Sequence, residues 1–356
     1  MGRFYRSSFV VGVLAAAAGV AQPCLAEGKI TYLLTSPSPN VAEAPHSSVP
    51  EVLGYWKDAG LDVDVKPFNG STGATQLVIA GTAQFTMATP EGLIIARQDG
   101  AKLIAIYNHV REPIYTIAVT EDSPIKKLSD FKGKTIGVLS LSSGAVPVDK
   151  AMLKAAGLDP EKDVKWLPVG LGPQAAHALE AKQVDALGLW DWGYAMLENS
   201  GYKFRHFSSP ATNKLLSIML IGNEDYVQAH PDETVKFAQG VAKAALFTLT
   251  NPEAAVKIHW QKYPSSKPSG IPEAQALKEA VHVLEARLVK YRIAGRAVPK
   301  WGAFTKEEWE TTRDFLYDAG MIKEKPDVTS YYTNRFIDKI NDFDAAKVKQ
   351  QAEAYR

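Results

Sequence analysis

Cysteine is nearly absent: Cys24 is the only one among 356 residues. That excludes an intrachain disulfide framework and any metal centre built on several cysteines. An excess of one charge is missing too, with 40 Lys and Arg against 39 Asp and Glu. The chain therefore lacks the basic balance that bulk nucleic-acid binding needs, and no nucleic-acid partner is expected. His46, His109, His177, His206, His230, His259 and His282 show no metal-ligand spacing such as H-E-x-x-H. His177 and Glu180 stand one turn apart on a predicted helix, away from strand ends, as a surface pair does. There is no G-x-S-x-G elbow, no Ser/His/Asp set, no P-loop, no charge run and no low-complexity tract. No catalytic residue, metal or cofactor is expected. No apolar run reaches the roughly 20 residues of a membrane-spanning helix.

The longest apolar stretch lies at the N-terminus. Arg3 and Arg6 precede an uninterrupted apolar or small run from Phe9 to Ala21, and Cys24-Leu25-Ala26 follows. This is the layout of a secretory signal peptide, residues 1–26, cut after Ala26. Pro23 stands where a lipidated cysteine wants a small residue. The mature chain is then free of cysteine and exported, with a bacterial periplasm as the expected location.

What the sequence does contain is a long internal repeat. Lys57-Asp58-Ala59-Gly60-Leu61-Asp62 recurs as Lys154-Ala155-Ala156-Gly157-Leu158-Asp159. After a small insertion the copies stay in register: Pro67 on Pro168, Ala74 on Ala175, Ala80 on Ala181, Gly100 on Gly201, Lys102 on Lys203. Gly28-Lys29-Ile30 likewise matches Gly133-Lys134-Thr135. The period is too long for a solenoid, and it predicts two α/β lobes on one plan. Strands are expected at Lys29 to Thr35, Leu61 to Phe68, Gln84 to Ala88 and Lys102 to Tyr107. In the second copy they are expected at Thr135 to Leu139, Val164 to Val169, Ala186 to Trp190 and Lys203 to Phe207. The alternating pattern of Val63 and Val65 against Asp62, Asp64 and Lys66 is that of a half-buried strand. A helix from about Ser47 to Ala59 would end at Gly60. Strands alternating with helices imply parallel, Rossmann-like sheets. Ile114 to Thr120 begins the second lobe, and Leu215 to Ile221 returns the chain to the first. The expected lobes are 27–112 plus 215–356, with mostly helical sequence after Pro231, and 113–214. Crossings near Asn108–Pro113 and Pro210–Leu215 would form a two-strand hinge that permits closure.

Ligands of open α/β sheets sit beyond the carboxyl ends of the strands, so the repeat nominates its own site. From the first lobe it offers Ser36, Gly70-Ser71-Thr72, Thr89-Pro90-Glu91 and Asn108. From the second it offers Ser140, Ser142-Ser143-Gly144, Leu171, Trp190, Asp191 and Tyr194. The serine loops precede helices, where free N–H groups and hydroxyls suit an anion or a carbonyl oxygen, although ordinary capping explains them equally. Trp190 can stack on a planar ring and Asp191 can accept from an amine or ring N–H; a core tryptophan and a helix cap explain the same pair. Glu91 would face them across the cleft, which disfavours an inorganic anion. The aromatics Trp301, Phe304, Trp309, Phe315, Tyr331 and Tyr332 are expected to seal helices onto the first lobe.

Tyr55-Trp56-Lys57-Asp58-Ala59-Gly60-Leu61-Asp62-Val63, Gly70-Ser71-Thr72, the run from Leu128 to Val138 and Gln183-Val184-Asp185-Ala186 together resemble the periplasmic solute-binding proteins of bacterial ABC importers. The nearer likeness is to the branch that takes in sulfonate, nitrate, taurine and thiamine-pyrimidine binders (NMT1/THI5-like). Thr89-Pro90-Glu91 is similar to the turn of the pyrimidine-precursor binders. The resemblance implies a type II periplasmic binding fold with the ligand between the lobes. It also implies a monomer that closes on its ligand and delivers it to an inner-membrane permease. Planar heteroaromatics, aromatic acids and alkyl sulfonates all remain open as ligands. The same fold carries thiamine-pyrimidine synthases, which depend on a cysteine-rich iron-binding segment that this chain lacks; an exported sensor without a transport role is the other alternative. N-terminal sequencing of the exported protein is expected to begin at Glu27, and a mature chain that retains residues before it would refute the assigned signal peptide.

Overall fold

The computed structural model describes Gly2 and residues 28–291, 293 and 297–356. Apart from Gly2, the expected signal peptide 1–26 and its cut after Ala26 lie outside them. Among the described residues ten strands form two five-stranded sheets. The first contains β1 (Ile30–Leu33), β2 (Val63–Lys66), β3 (Phe85–Ala88), β4 (Leu103–Asn108) and β10 (Met219–Asn223), in the order β2-β1-β3-β10-β4. The second contains β5 (Tyr115–Thr120), β6 (Lys134–Val138), β7 (Val164–Pro168), β8 (Ala186–Trp190) and β9 (Phe204–Phe207), in the order β7-β6-β8-β5-β9. Helices α1 (Ser48–Val52), α2 (Ser71–Ile79) and α3 (Pro90–Gln98) connect the first sheet. Helices α4 (Ala145–Ala155), α5 (Pro173–Glu180) and α6 (Asp191–Asn199) connect the second. After β10 come α7 (Glu224–Ala229), α8 (Pro231–Thr250), α9 (Pro252–Lys262), α10 (Glu273–Leu288), α11 (Lys306–Asp318), α12 (Ile337–Ile340) and α13 (Ala345–Ala354).

The repeat register carries through to the backbone. β3 and β8 start at Phe85 and Ala186, β4 and β9 at Leu103 and Phe204, and α3 and α6 pair Pro90–Gln98 with Asp191–Asn199. The sheets are mixed, however, where wholly parallel ones were expected. β1 pairs in parallel with β2 and β3, but β10 runs antiparallel to β3 and β4. In the second sheet β6 is parallel to β7 and β8, while β5 is antiparallel to β8 and β9. The odd strand in each sheet is the one reached by a crossing from the other sheet. It enters from the opposite end and so runs against its neighbours.

The expected helix Ser47 to Ala59 is a second difference. A short 3-10 turn at Val41–His46 leads into α1, which stops at Val52, and hydrogen-bonded turns continue to Gly60. Gly54 adopts φ +76°, in the left-handed region where a helix cannot continue. This break lets Trp56 turn into the core. Its ring stacks on Phe237 of α8 at 4.9 Å, and its indole N–H donates to the Phe237 carbonyl at 3.0 Å. Tyr32 of β1 and Phe85 of β3 pack against Phe237 at 5.1 and 5.0 Å. Helix α8 is thereby fastened to the first sheet through one aromatic cluster. Phe304, Trp309 and Tyr331 are buried in a second cluster, with Phe315 and Tyr332 packed against it, as expected of them. Trp301 joins the other core instead. Replacing Trp56 by Ala removes a fully buried ring and should lower the unfolding free energy by about 3–5 kcal/mol. Urea unfolding checks this, and a loss below about 1 kcal/mol would mean that the cluster does not hold the helices.

Candidate functional site

The strand-end loops of the two sheets meet. Thr35, Ser36, Gly70, Ser71 and Met87 from the first sheet face Tyr115, Leu139, Ser143, Gly144, Trp190 and Trp192 from the second. Glu43, His46, Ile114, Ile218 and Arg287 complete the walls. The free volume between them is about 30 Å³, room for about two waters. The loops also bond directly across the junction. Thr72 N–H donates to the Ser142 carbonyl at 3.1 Å, and the Ser142 hydroxyl donates to the Asn69 carbonyl at 2.7 Å. Gly70 sits at φ +104°, and a Cβ there would lie 2.6 Å from the Ser142 carbonyl oxygen. Only glycine lets the loops approach so closely. Ser140 is bonded to Ser142, hydroxyl to hydroxyl, at 3.0 Å.

A second tie lies deeper. Arg287 of α10 donates from Nε and Nη2 to the two carboxylate oxygens of Asp191, at 2.8 and 2.7 Å. The side chains are 2% and 6% exposed. Asp191 also accepts from the Trp192 N–H at 2.8 Å. Both its oxygens are thus engaged within the protein and, unlike Glu43, Asp191 is not among the residues that line the cavity, which corrects its expected place as a free acceptor.

The other nominated residues divide by position. Ser36, Gly70, Ser71, Ser143, Gly144 and Trp190 line the cavity, and Thr72, Ser140 and Ser142 close its rim by the bonds above. Thr89 and Glu91 lie in an adjoining void of about 10 Å³ with Pro113, Tyr115, Leu216 and Ser217, so Glu91 does not face the main cavity. Pro90 is buried at the first position of α3. Asn108 is buried beside the crossing, its backbone N–H donating to the Gly302 carbonyl at 2.9 Å. Leu171 packs on the core outside the lining. Tyr194 is corrected: its hydroxyl shares its one proton between the Thr116 and Leu187 carbonyls, at 2.8 and 2.7 Å, and accepts from Leu189 N–H, pinning β5 to β8 behind the cavity.

The acidic group facing the cavity is Glu43, which the repeat could not nominate because its segment has no second copy. Its oxygens accept from the Ser36 hydroxyl at 3.0 Å and the Asn40 N–H at 3.3 Å. Burial pushes its pKa up to about 7, and burial does the same to Glu91. Asn40 and Glu43 form a capping box at the Val41–His46 turn, so Glu43 serves the cap as well as the cavity wall. His46 is bonded to the Tyr32 hydroxyl at 2.7 Å, and burial lowers its pKa to about 3, so the ring is neutral. His109 behind it is bonded to Tyr291 at 2.6 Å and is likewise pushed down by burial. Trp190 is met edge-on by Trp192 at 5.0 Å and by Tyr115 at 6.4 Å. Its indole N–H has no partner among the described residues. Arg287 gave no signal in the sequence, since it is one cation on an ordinary amphipathic helix. Among the described residues no three His, Cys, Asp or Glu are grouped to hold a metal, and no helix is long and apolar enough to cross a membrane.

Two α/β sheets joined by two crossings, with their strand-end loops converging on one polar and aromatic cavity, define the periplasmic-binding-protein fold and a ligand-binding class of protein. Within that class the chain belongs to the NMT1/THI5-like family, which matches residues 49–255. It is 26% identical to the riboflavin-binding protein RibY of Chloroflexus aurantiacus, over 91% of this chain and 89% of that one. It is 22% identical to a 4-amino-5-hydroxymethyl-2-methylpyrimidine phosphate synthase of Saccharomyces cerevisiae, over 87% and 88%. The alkanesulfonate-binding protein SsuA of Xanthomonas axonopodis, solved with MOPS, superposes with a TM-score of 0.62 at 17% identity, covering 86% of this chain and 98% of that one.

Replacing Glu43 by Gln isolates its titration. A raised folded pKa means that the native state holds this proton where the unfolded state releases it, so its stabilising effect is lost as pH rises from about 4.5 to about 7. The buried histidines act in the opposite sense and cancel in the difference between variant and parent. Glu43→Gln should therefore gain on the parent by up to roughly 3 kcal/mol across that interval. Denaturant unfolding at pH 4.5 and pH 8 measures it, and a constant difference would contradict the assignment.

Proposed function

We propose that this protein is the extracytoplasmic solute-binding component of an ABC importer, and that its ligand is a neutral planar heteroaromatic carrying hydrogen-bond donors. It is not an enzyme in this reading and uses no cofactor. The observation that carries the reading is the cavity wall. It offers Trp190, Trp192 and Tyr115 as flat apolar surface, Glu43 and the serine loops as acceptors, and the unpartnered Trp190 N–H as a donor. Each feature suits a nitrogen heterocycle with donors and acceptors on its edge. RibY, related along most of the chain and named for binding riboflavin, supports the same class. The yeast synthase, a relative named for a pyrimidine product, is an enzyme; the single cysteine here, ahead of the expected mature start, favours binding over synthesis.

Ligand pockets are about 300 Å³ or more, and a cavity of about 30 Å³ holds no ring. Binding in this reading requires the lobes, 27–112 with 215–356 and 113–214, to part about the two crossings. The ligand then shifts the hinge only by favouring one state over the other. The closed form is passed as a monomer to a permease in the inner membrane, from a periplasmic location. Ser36, Gly70, Ser71, Ser143, Gly144 and Trp190 are the proposed contacts.

Thermal unfolding of the mature protein with riboflavin, aminopyrimidines, benzoate and alkyl sulfonates tests the class. A ligand at 100 times its Kd adds about 2.7 kcal/mol of stability. A neutral heteroaromatic should give the shift and quench tryptophan emission, and Trp190→Ala should weaken its binding about tenfold or more. A shift with sulfonates alone would overturn the ligand class.

A further inference from the structure

Arg287 carries the one permanent positive charge among the residues that line the cavity. A guanidinium facing a binding cavity is the ordinary receptor for a carboxylate or sulfonate, because its fork matches two oxygens at once. Here that fork is already filled. Asp191 takes Nε and Nη2 at 2.8 and 2.7 Å, in the two-point geometry a ligand carboxylate would use, and both side chains are buried. The carboxylate comes from the start of α6 and the guanidinium from α10, which packs along α6 and on the Val41–His46 turn of the first half. Asn199 of α6 donates to the Glu279 carbonyl of α10 at 3.0 Å, so the two helices are also tied away from the pair. Its net charge is zero. The acid that remains on the wall is Glu43, which at its pKa of about 7 is part-ionised near neutrality and adds repulsion toward a second anion.

We propose that Asp191 is a specificity-determining residue: as an internal carboxylate on Arg287, it bars anionic ligands from the cleft and leaves it open to neutral ones. This rests on the reading of the cleft as the ligand site. Asp191 and Arg287 act as one neutral unit. Removing the acid alone leaves a buried guanidinium without a counter-charge, and an exogenous anion of matching shape then supplies it. The same step turns a cleft that rejects sulfonates into one that takes them.

The experiment compares benzenesulfonate with neutral benzenesulfonamide on the wild-type protein, on Asp191→Asn and on Asp191→Asn/Arg287→Met. Unfolding midpoints and calorimetric Kd are the readouts, with circular dichroism to establish the fold. Wild-type protein should show no midpoint shift with benzenesulfonate. Asp191→Asn should bind it about tenfold or more tighter than wild type, with an affinity that falls as salt rises, and the double variant should lose that gain. A folded Asp191→Asn with no gain, or a gain that survives Arg287→Met, would overturn the proposal. So would a wild-type midpoint shift with benzenesulfonate, a result that counts even if Asp191→Asn does not fold. Failure of riboflavin and aminopyrimidines to bind wild-type protein counts against the proposed ligand class and leaves the charge-masking result to stand by itself.

Discussion

Each sheet holds, one place in from its edge, a strand delivered by a crossing from the other sheet. β10 lies between β3 and β4, and β5 lies between β8 and β9. Without β10, β4 would have no neighbour in its sheet, and without β5 the same would be true of β9. The two crossings are therefore fixed at both ends by ladder hydrogen bonds. What is left to vary is the short chain between β4 and β5 and the segment between β9 and β10. Those segments carry Pro113, Ile114, Leu215, Leu216 and Ser217, the residues that wall the small void beside Glu91. The constraint that completes the sheets thus also sets the floor of the cleft.

The balance of charge in that cleft follows from burial. A carboxylate, an arginine and two histidines sit where water is scarce, and each has met the desolvation problem in its own way. Glu43 is held closer to its protonated form, His46 and His109 are kept neutral, and Arg287 has a carboxylate of its own. Little net charge remains. In the proposed reading the recognition surface is then made of ring faces, hydroxyls and backbone amides, which discriminate by shape and hydrogen-bond pattern rather than by long-range attraction.

Much of the fold was legible because the repeat reports backbone spacing twice. Where both copies agreed, as at β3 with β8 or β4 with β9, element starts fell within a residue or two. The strand directions were not legible, because alternating strands and helices say nothing of a strand inserted from a crossing. Nor was the break at Gly54, since a glycine near a helix end reads equally as its cap. For the site, strand-end loops gave Ser36, Gly70, Ser71, Ser143, Gly144 and Trp190 as neighbours. Glu43 and Arg287 escaped, as they stand on segments present once only. Asp191 was found, but with an opposite meaning: the sequence shows a carboxylate at a strand end and cannot show the arginine, far along the chain, that fills it.

The inserted strands also order events in time. Every strand of the second sheet lies between residues 115 and 207, so that half can assemble as one contiguous stretch. In the first sheet Ala88 must wait for Met219, a long loop whose closure is entropically unfavourable and slow to sample. Until that strand arrives, β3 and β4 present bare edges flanked by apolar side chains. A chain that emerges N-terminus first thus exposes its earliest half longest, and the half made in the middle is the first that can be whole.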